Sequence, residues 1–241
     1  MNIVEDLSSL DAPQIEAVEK LTMRWLFQAV IDFGTAAQEI FMRSPDEVKD
    51  IAEDITREML DRLPGFNVPQ RIFGTVDYKR ARYVILPENI IRQALFVDSK
   101  AEKENRTATI QMSQTSLQVR QLRTGTEMNE RGLLPAILEY NSQQYLATTT
   151  FLHFWYEITG ETRYLREITV FCLPNGKLQE LYMPNVIDAV WLAGRNAPSL
   201  GEDFRVRVSF GELKKIATWR VQKIVYSASN NRCSGEWSDQ Q

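Results

Sequence analysis

Hydrophobic residues at helical spacing dominate the first third of the chain. Asp11 is followed three residues later by Gln14, the spacing of a capping box at the start of a helix. The apolar positions that follow are more numerous than one helix face can hold, so we expect this helix to be buried on two sides. They are Ile15, Val18, Leu21, Met23, Trp25, Leu26, Val30 and Phe33.

A second helix is predicted to begin at Ser44, with Pro45 at its first position and Glu47 completing another capping box. Apolar residues recur every three or four positions from Val48 onward, and the Pro-Gly pair at 64–65 ends the pattern. The N-terminal third is therefore predicted to be helical.

Beyond this point the apolar residues alternate or form short runs, as is typical of β-strands. Strands are predicted at 72–76, 82–86, 93–97, 149–156, 167–173, 204–210 and 220–226, with a short helix at 211–216. The run 133–138 fits either a helix or a buried strand. Together these elements predict an α/β fold, a single domain over residues 1–241 with a central mixed β-sheet flanked by helices.

Composition narrows the function classes. The 241 residues are 44% hydrophobic, enough for a sizeable core, and neither a signal peptide nor a membrane-spanning run is evident, which predicts a cytoplasmic protein. The net charge of −4 argues against nonspecific coating of nucleic acid but leaves room for local basic surfaces. Cys172 and Cys233 lack metal-ligand spacing and are expected to be free thiols.

The candidate chemistry lies where an apolar strand ends in VDSK. Asp98 and Lys100 are two residues apart on a predicted strand, so their side chains project to one face while Ser99 points away. Asp77 ends the preceding apolar stretch, and adjacent strands could bring it near Asp98. Two neighbouring carboxylates repel each other unless a cation lies between them, and oxygen ligands suit Mg²⁺.

A lysine beside such a metal suits phosphodiester cleavage, which needs an activated water and neutralised phosphate oxygens. In this hypothesis Asp77 and Asp98 bind the metal, the carbonyl of Ser99 adds a ligand, and Lys100 stabilises the pentavalent charge. Glu53, on the preceding helix, is a candidate outer-shell acid. The structural alternative is an exposed Asp98–Lys100 pair, which contributes only about 0.2 to 1 kcal/mol.

Several stretches in one order resemble the SfiI-type restriction endonucleases, a branch of the PD-(D/E)xK nucleases. They are AEDIT at 52–56, FGTVDYKRARY at 73–83, VDSKA at 97–101, the SQ pair at 113–114, HFWY at 153–156, RVRVSF at 205–210 and WRVQKIVYSA at 219–228. Asp77, Asp98 and Lys100 match the family triad. The resemblance implies a restriction-endonuclease-like core and a type II enzyme that cuts both strands of DNA with Mg²⁺. It also implies an interrupted G·C-rich palindrome as the target, 3′ overhangs, and a homotetramer, with a homodimer as the simpler assembly.

DNA contacts are predicted from basic and amide side chains. In the segment after the catalytic strand the candidates are Lys103, Asn105 and Arg106, and in the later strand they are Arg205 and Arg207. Arginine suits guanine O6 and N7 in the major groove, and alternate strand positions face the same way. Another basic cluster contains Lys79 and Arg80. The alternative for each is a phosphate contact or a solvated charge.

Two other functions remain open from the residues alone. One is a sequence-specific DNA-binding protein of the same fold that no longer cuts, and the other is a repair nuclease for damaged or branched DNA. His153, the one histidine of the chain, lies in the apolar run FLHFWY and is predicted to be packed rather than to act as a catalytic base.

Overall fold

The computed structural model describes residues 4–61, 91–193, 205–227 and 232–239. The helices of these ranges are α1 (Ala12–Arg43), α2 (Val48–Asp61), α3 (Gln179–Tyr182) and α4 (Phe210–Ile216). The strands are β1 (Gln93–Glu102), β2 (Thr107–Gln111), β3 (Gln118–Arg123), β4 (Thr126–Arg131), β5 (Ile137–Tyr140), β6 (Gln143–Thr159), β7 (Thr162–Leu173), β8 (Trp191–Ala193), β9 (Arg205–Ser209), β10 (Val221–Tyr226) and β11 (Cys233–Ser234).

The two N-terminal helices start differently from each other. The capping box of Asp11 and Gln14 is confirmed, with both reciprocal hydrogen bonds present at the start of α1. The predicted start of the second helix at Ser44 is wrong, because α1 runs on to Arg43 and Ser44 becomes its C-cap. The second helix begins instead at Val48.

The central sheet is mixed, as predicted. Its strand order is β1–β6–β7–β10–β11, with β5 pairing to β6. Strand β1 is parallel to β6, whereas the other pairs are antiparallel. The strands predicted at 72–76 and 82–86 lie outside the described residues.

Each face of this sheet buries a different layer. On one face Leu95 and Val97 of β1 pack with Ile51 and Ile55 of α2 and with the apolar side of α1. On the other face lies a second sheet, in the order β2–β9–β8. Its apolar side packs with Phe151 of β6 and with Phe171 of β7. The run 133–138, left open from the sequence, contains the start of β5.

None of the helices in the described ranges combines the length and apolar character needed to cross a membrane.

Candidate active site

Asp98 and Lys100 form an ion pair where β1 leaves the core. The strand is buried from Gln93 to Val97 and becomes partly exposed from Asp98 onward. Lys100 Nζ lies 2.7 Å from Asp98 Oδ2, and the two side chains keep 17% and 12% of their surface exposed. Both face the second sheet rather than the helices, because Leu95 and Val97 occupy the opposite face. The sequence prediction that their functional ends are neighbours is confirmed.

Gln114 completes this cluster and was not predicted as a site residue. It ends a short 3₁₀ turn, Met112–Gln114, that follows β2, and its Nε2 donates to Asp98 Oδ2 at 2.9 Å. Lys100 and Gln114 thus hold the same carboxylate oxygen, and these two donors leave Oδ1 to other partners. One signal for Gln114 was available in the sequence: Gln111 and Gln114 have the spacing of a capping box.

Only some of the predicted metal ligands lie among the described residues. Asp77 lies outside them, as do Lys79 and Arg80. Within the described ranges no group of three or more acidic, histidine or cysteine side chains could hold a metal ion. The Asp98 carboxylate fits one hard cation, since Mg²⁺ prefers carboxylate oxygens and neither Lys100 nor Gln114 uses Oδ1. Ser99 follows Asp98 directly in β1 and pairs with Leu152 of β6.

Glu53 is placed on the helix side of the sheet. Helix α2 packs on the face of β1 that carries Leu95 and Val97, opposite to Asp98. The Glu53 carboxylate lies 3.7 Å from Lys49 in a partly exposed surface pair. The described structure therefore does not bring Glu53 to Asp98, and its outer-shell role stays a prediction.

His153 lies directly opposite Lys100 in the parallel pairing of β1 with β6. Its side chain is fully buried and packs edge-on against Phe210 with ring centroids 5.2 Å apart. Burial lowers the pKa of His153 to about 3, and the nearby charge of Lys223 and that of Lys100 act in the same direction. A histidine that stays neutral at pH 7 for this reason is a poor general base, in agreement with the packed role predicted for it.

The turn after β1 carries the first group of candidate DNA contacts. Lys103, Asn105 and Arg106 lie between β1 and β2. The Arg106 carbonyl accepts a hydrogen bond from the backbone N–H of Phe210, which anchors the turn. The Arg106 side chain is 83% exposed and its Nε lies 3.1 Å from Glu104. The backbone of this turn is thus held while its arginine reaches solvent.

Arg205 and Arg207 share one face of β9, as predicted. Val206 and Val208 between and beside them are fully buried in the second core. In the antiparallel register Arg207 is opposite Thr109 and Arg205 is opposite Gln111, both on β2. The two arginines therefore lie on a polar face of the second sheet, which we call the β2–β9 face: Thr109, Gln111, Arg205 and Arg207.

Comparisons with known proteins identify the family of this chain. The family model of the type II restriction enzyme SfiI matches residues 31–224. The type II restriction enzyme SfiI of Streptomyces fimbriatus is 32% identical over 250 residues, covering 98% of this chain and 93% of that enzyme.

Solved structures give the same picture. The crystal structure of tetrameric restriction endonuclease SfiI bound to cognate DNA aligns with a TM-score of 0.85 and 30% identity, over 99% of this chain and 94% of that one. Restriction endonuclease BglI bound to its DNA recognition sequence aligns with a TM-score of 0.72 and 16% identity, over 88% of this chain and 91% of that one, a likeness of fold. The chain belongs to the SfiI family of type II restriction enzymes, which are sequence-specific DNA endonucleases.

Proposed function

We propose that this chain is one restriction-endonuclease-like domain that hydrolyses phosphodiester bonds in double-stranded DNA at a defined sequence, with Mg²⁺ as cofactor. The observation that carries the proposal is the half-buried Asp98–Lys100 pair on the sheet face that also carries the second sheet with Arg205 and Arg207. The ion pair supplies the reaction centre, and the side of the second sheet turned away from the buried Val206 and Val208 supplies a separate surface for reading DNA. A DNA substrate is consistent with the cytoplasmic location predicted from the sequence.

The residues divide the reaction between them. Asp98 and Asp77 would bind the metal through carboxylate oxygens, with the Ser99 carbonyl as a further ligand, whereas Glu53 lies on the opposite face of β1 and would reach the metal's outer shell only if α2 were repositioned. A metal held by these residues would supply Lewis-acid activation of the attacking water and neutralise charge on the phosphate. Lys100, an N–H donor 2.7 Å from Asp98, orients that water and stabilises the negative charge that develops on the pentavalent phosphorus.

DNA recognition is assigned to two surfaces. The β2–β9 face presents Arg205 and Arg207 in parallel, which suits bidentate bonds to guanine in the major groove. The turn of Lys103, Asn105 and Arg106 adds contacts beside the catalytic strand. Lys79 and Arg80 are assigned to DNA binding from their charge alone.

The oligomeric state, the target sequence and the overhangs are proposed from the relatives. SfiI was crystallised as a tetramer on cognate DNA, and this supports a homotetramer here, with a homodimer as the smaller alternative. An interrupted G·C-rich palindrome and 3′ overhangs are proposed from the same family resemblance. Solution mass with and without DNA distinguishes the assemblies.

The decisive experiment is a digest of varied plasmid DNA with Mg²⁺, alongside an Asp98→Asn variant and an EDTA control. We expect discrete fragments from the wild type only, and sequencing of their ends gives the target and the cut position. Site-specific binding without fragments, in Mg²⁺ or Mn²⁺, would instead identify a silent DNA-binding protein. Preferential cutting of branched DNA over intact duplex would identify a repair nuclease.

A further inference from the structure

Gln114 uses both ends of its side-chain amide. Its Nε2 donates to Asp98 Oδ2 at 2.9 Å, and its Oε1 accepts from the backbone N–H of Gln111 at 3.0 Å. A carboxylate only accepts and a backbone N–H only donates, so these two partners fix which way the amide points. The side chain is 8% exposed, which makes both bonds costly to lose.

The turn that carries Gln114 is anchored independently of the active site. The Met112 carbonyl accepts from the N–H of Leu133 at 2.8 Å, and the Thr115 carbonyl accepts from the N–H of Leu134 at 3.1 Å. Gln111, which Gln114 caps, is the last residue of β2 and lies opposite Arg205. The amide of Gln114 therefore connects the carboxylate of Asp98 to the fixed end of the β2–β9 face.

We infer that Gln114 is a positioning residue that orients the Asp98 carboxylate toward the metal, an inference that rests on the proposed function of Asp98. By holding Oδ2 from an anchored turn, Gln114 fixes the rotation of the carboxyl group and directs Oδ1 away from Lys100. Hydrogen-bonded supports of this kind typically change metal affinity or activity by about 10- to 100-fold. Gln114 itself contacts neither the metal nor the scissile phosphate in this assignment.

The test replaces Gln114 with methionine, which keeps the length of the side chain and removes both hydrogen bonds. A matched control is Gln28→Met, because Gln28 Nε2 donates to Asp32 at 2.7 Å in the same kind of amide–carboxylate bond on the exposed surface of α1. Gln114→Asn is the second variant, since its amide is one methylene too short to reach both partners. Two titrations are compared: the Mg²⁺ dependence of cleavage and the Ca²⁺ dependence of DNA binding without cleavage.

For Gln114→Met we expect both half-saturating metal concentrations to rise about 10- to 100-fold, with site affinity at saturating Ca²⁺ within about twofold of wild type. Gln28→Met should match the wild type in both titrations. Unchanged metal dependence in a wild type that cleaves overturns the inference and leaves the proposed function standing. Loss of specific binding even at saturating Ca²⁺ also overturns it, because Gln114 would then serve recognition or folding. A wild type that binds its site but never cleaves overturns the proposed function and, with it, this role.

Discussion

Lys100 Nζ and Asp98 Oδ2 are 2.7 Å apart on the same face of β1. In the metal-free site the positive charge of the lysine therefore balances the negative charge of the carboxylate. A pair this close and half-buried is partly shielded from solvent screening. In the proposed reaction the same lysine stabilises the charge that develops on the phosphate. We therefore expect its positive charge to contribute to transition-state stabilisation more than to metal binding.

Lys100→Ala is expected to lower the single-turnover cleavage rate by at least about 100-fold, the usual cost of losing a charge-stabilising donor. Site-specific DNA binding in Ca²⁺ should persist, because Asp98 keeps its bond to Gln114 and no longer faces a competing cation. Cleavage assays and binding titrations measure the two effects. Lys20→Ala, which breaks the ion pair between Lys20 of α1 and Asp239, is the control. Loss of binding together with cleavage would show that Lys100 has a structural role.

Arg207→Ala is expected to reduce discrimination between the target and altered sequences by about 1 to 3 kcal/mol, if its guanidinium makes one bidentate base contact. Binding in Ca²⁺ to both kinds of DNA, at two salt concentrations, measures this difference. Arg43→Ala, at the exposed end of α1, is a matched control. Equal weakening on every sequence, with a shallower salt dependence, would reassign Arg207 to a phosphate contact.

Arg106→Ala tests the turn rather than the sheet. Its side chain is largely exposed and its anchoring bond to Phe210 comes from the backbone carbonyl, so the substitution should leave the fold intact. We expect a loss of discrimination of about 1 to 3 kcal/mol in the same binding assay. An effect on stability instead would contradict the assignment, and thermal unfolding measures it.

The elements that the sequence predicted well are those with a strong periodic pattern. Helix α1 has a complete capping box and apolar residues on two sides, and β6 and β7 contain long apolar runs that became central strands. The alternation of Arg205 and Arg207 with valines also predicted correctly that the two arginines share one face of a strand. In each case local pattern and tertiary burial favour the same structure.

In the elements that the sequence did not predict, the local pattern does not match the tertiary structure. Strand β4 reads TEMNER and is almost entirely exposed, so it shows no apolar alternation; only Gly125, with φ of +81° in the preceding turn, marks the hairpin. Ser44 has the composition of a helix start, yet α1 continued to Arg43 and used it as a C-cap. Gln114 reaches Asp98 from sixteen residues away, a contact set by the second sheet that periodicity does not encode.

Replacing only one partner of the buried ion pair between Glu19 and Arg220 is expected to lower the free energy of unfolding strongly. Arg220 Nη2 lies 2.8 Å from Glu19 Oε2, and both side chains are fully buried. Burial raises the pKa of Glu19, and the charge of Arg220 opposes that rise. Removing one partner leaves an uncompensated buried charge, so Glu19→Leu or Arg220→Met should each lower the free energy of unfolding by about 3 to 5 kcal/mol.

The double variant Glu19→Leu with Arg220→Met is the matched comparison. Replacing both charges with apolar groups removes the desolvation cost together with the attraction, so its stability should lie much closer to wild type than either single variant. Urea unfolding of the four proteins measures the coupling. Additive losses would mean that the two residues stabilise the fold independently, for example through the stacking of Arg220 on Trp219.

His153 predicts a specific dependence of stability on pH. Its pKa is about 3 in the folded chain, whereas an exposed histidine titrates near 6.5. Between these values the unfolded state binds more protons, so the stability present above pH 6.5 is lost as pH falls, by up to about 1.4 kcal/mol per pH unit. Besides burial, the charges of Lys223 and Lys100 lower this pKa, and the imidazole packs against the Phe210 ring.

His153→Phe removes the titrating group and keeps a ring against Phe210. We expect the free energy of unfolding of wild type minus that of the variant to be constant above pH 7 and to decrease steadily between pH 6.5 and 4. Urea unfolding in EDTA at several pH values measures this difference, which cancels the titration of every other group shared by the two proteins. A difference that does not vary with pH would mean that His153 has the same pKa in the folded and unfolded states, which contradicts the lowered pKa.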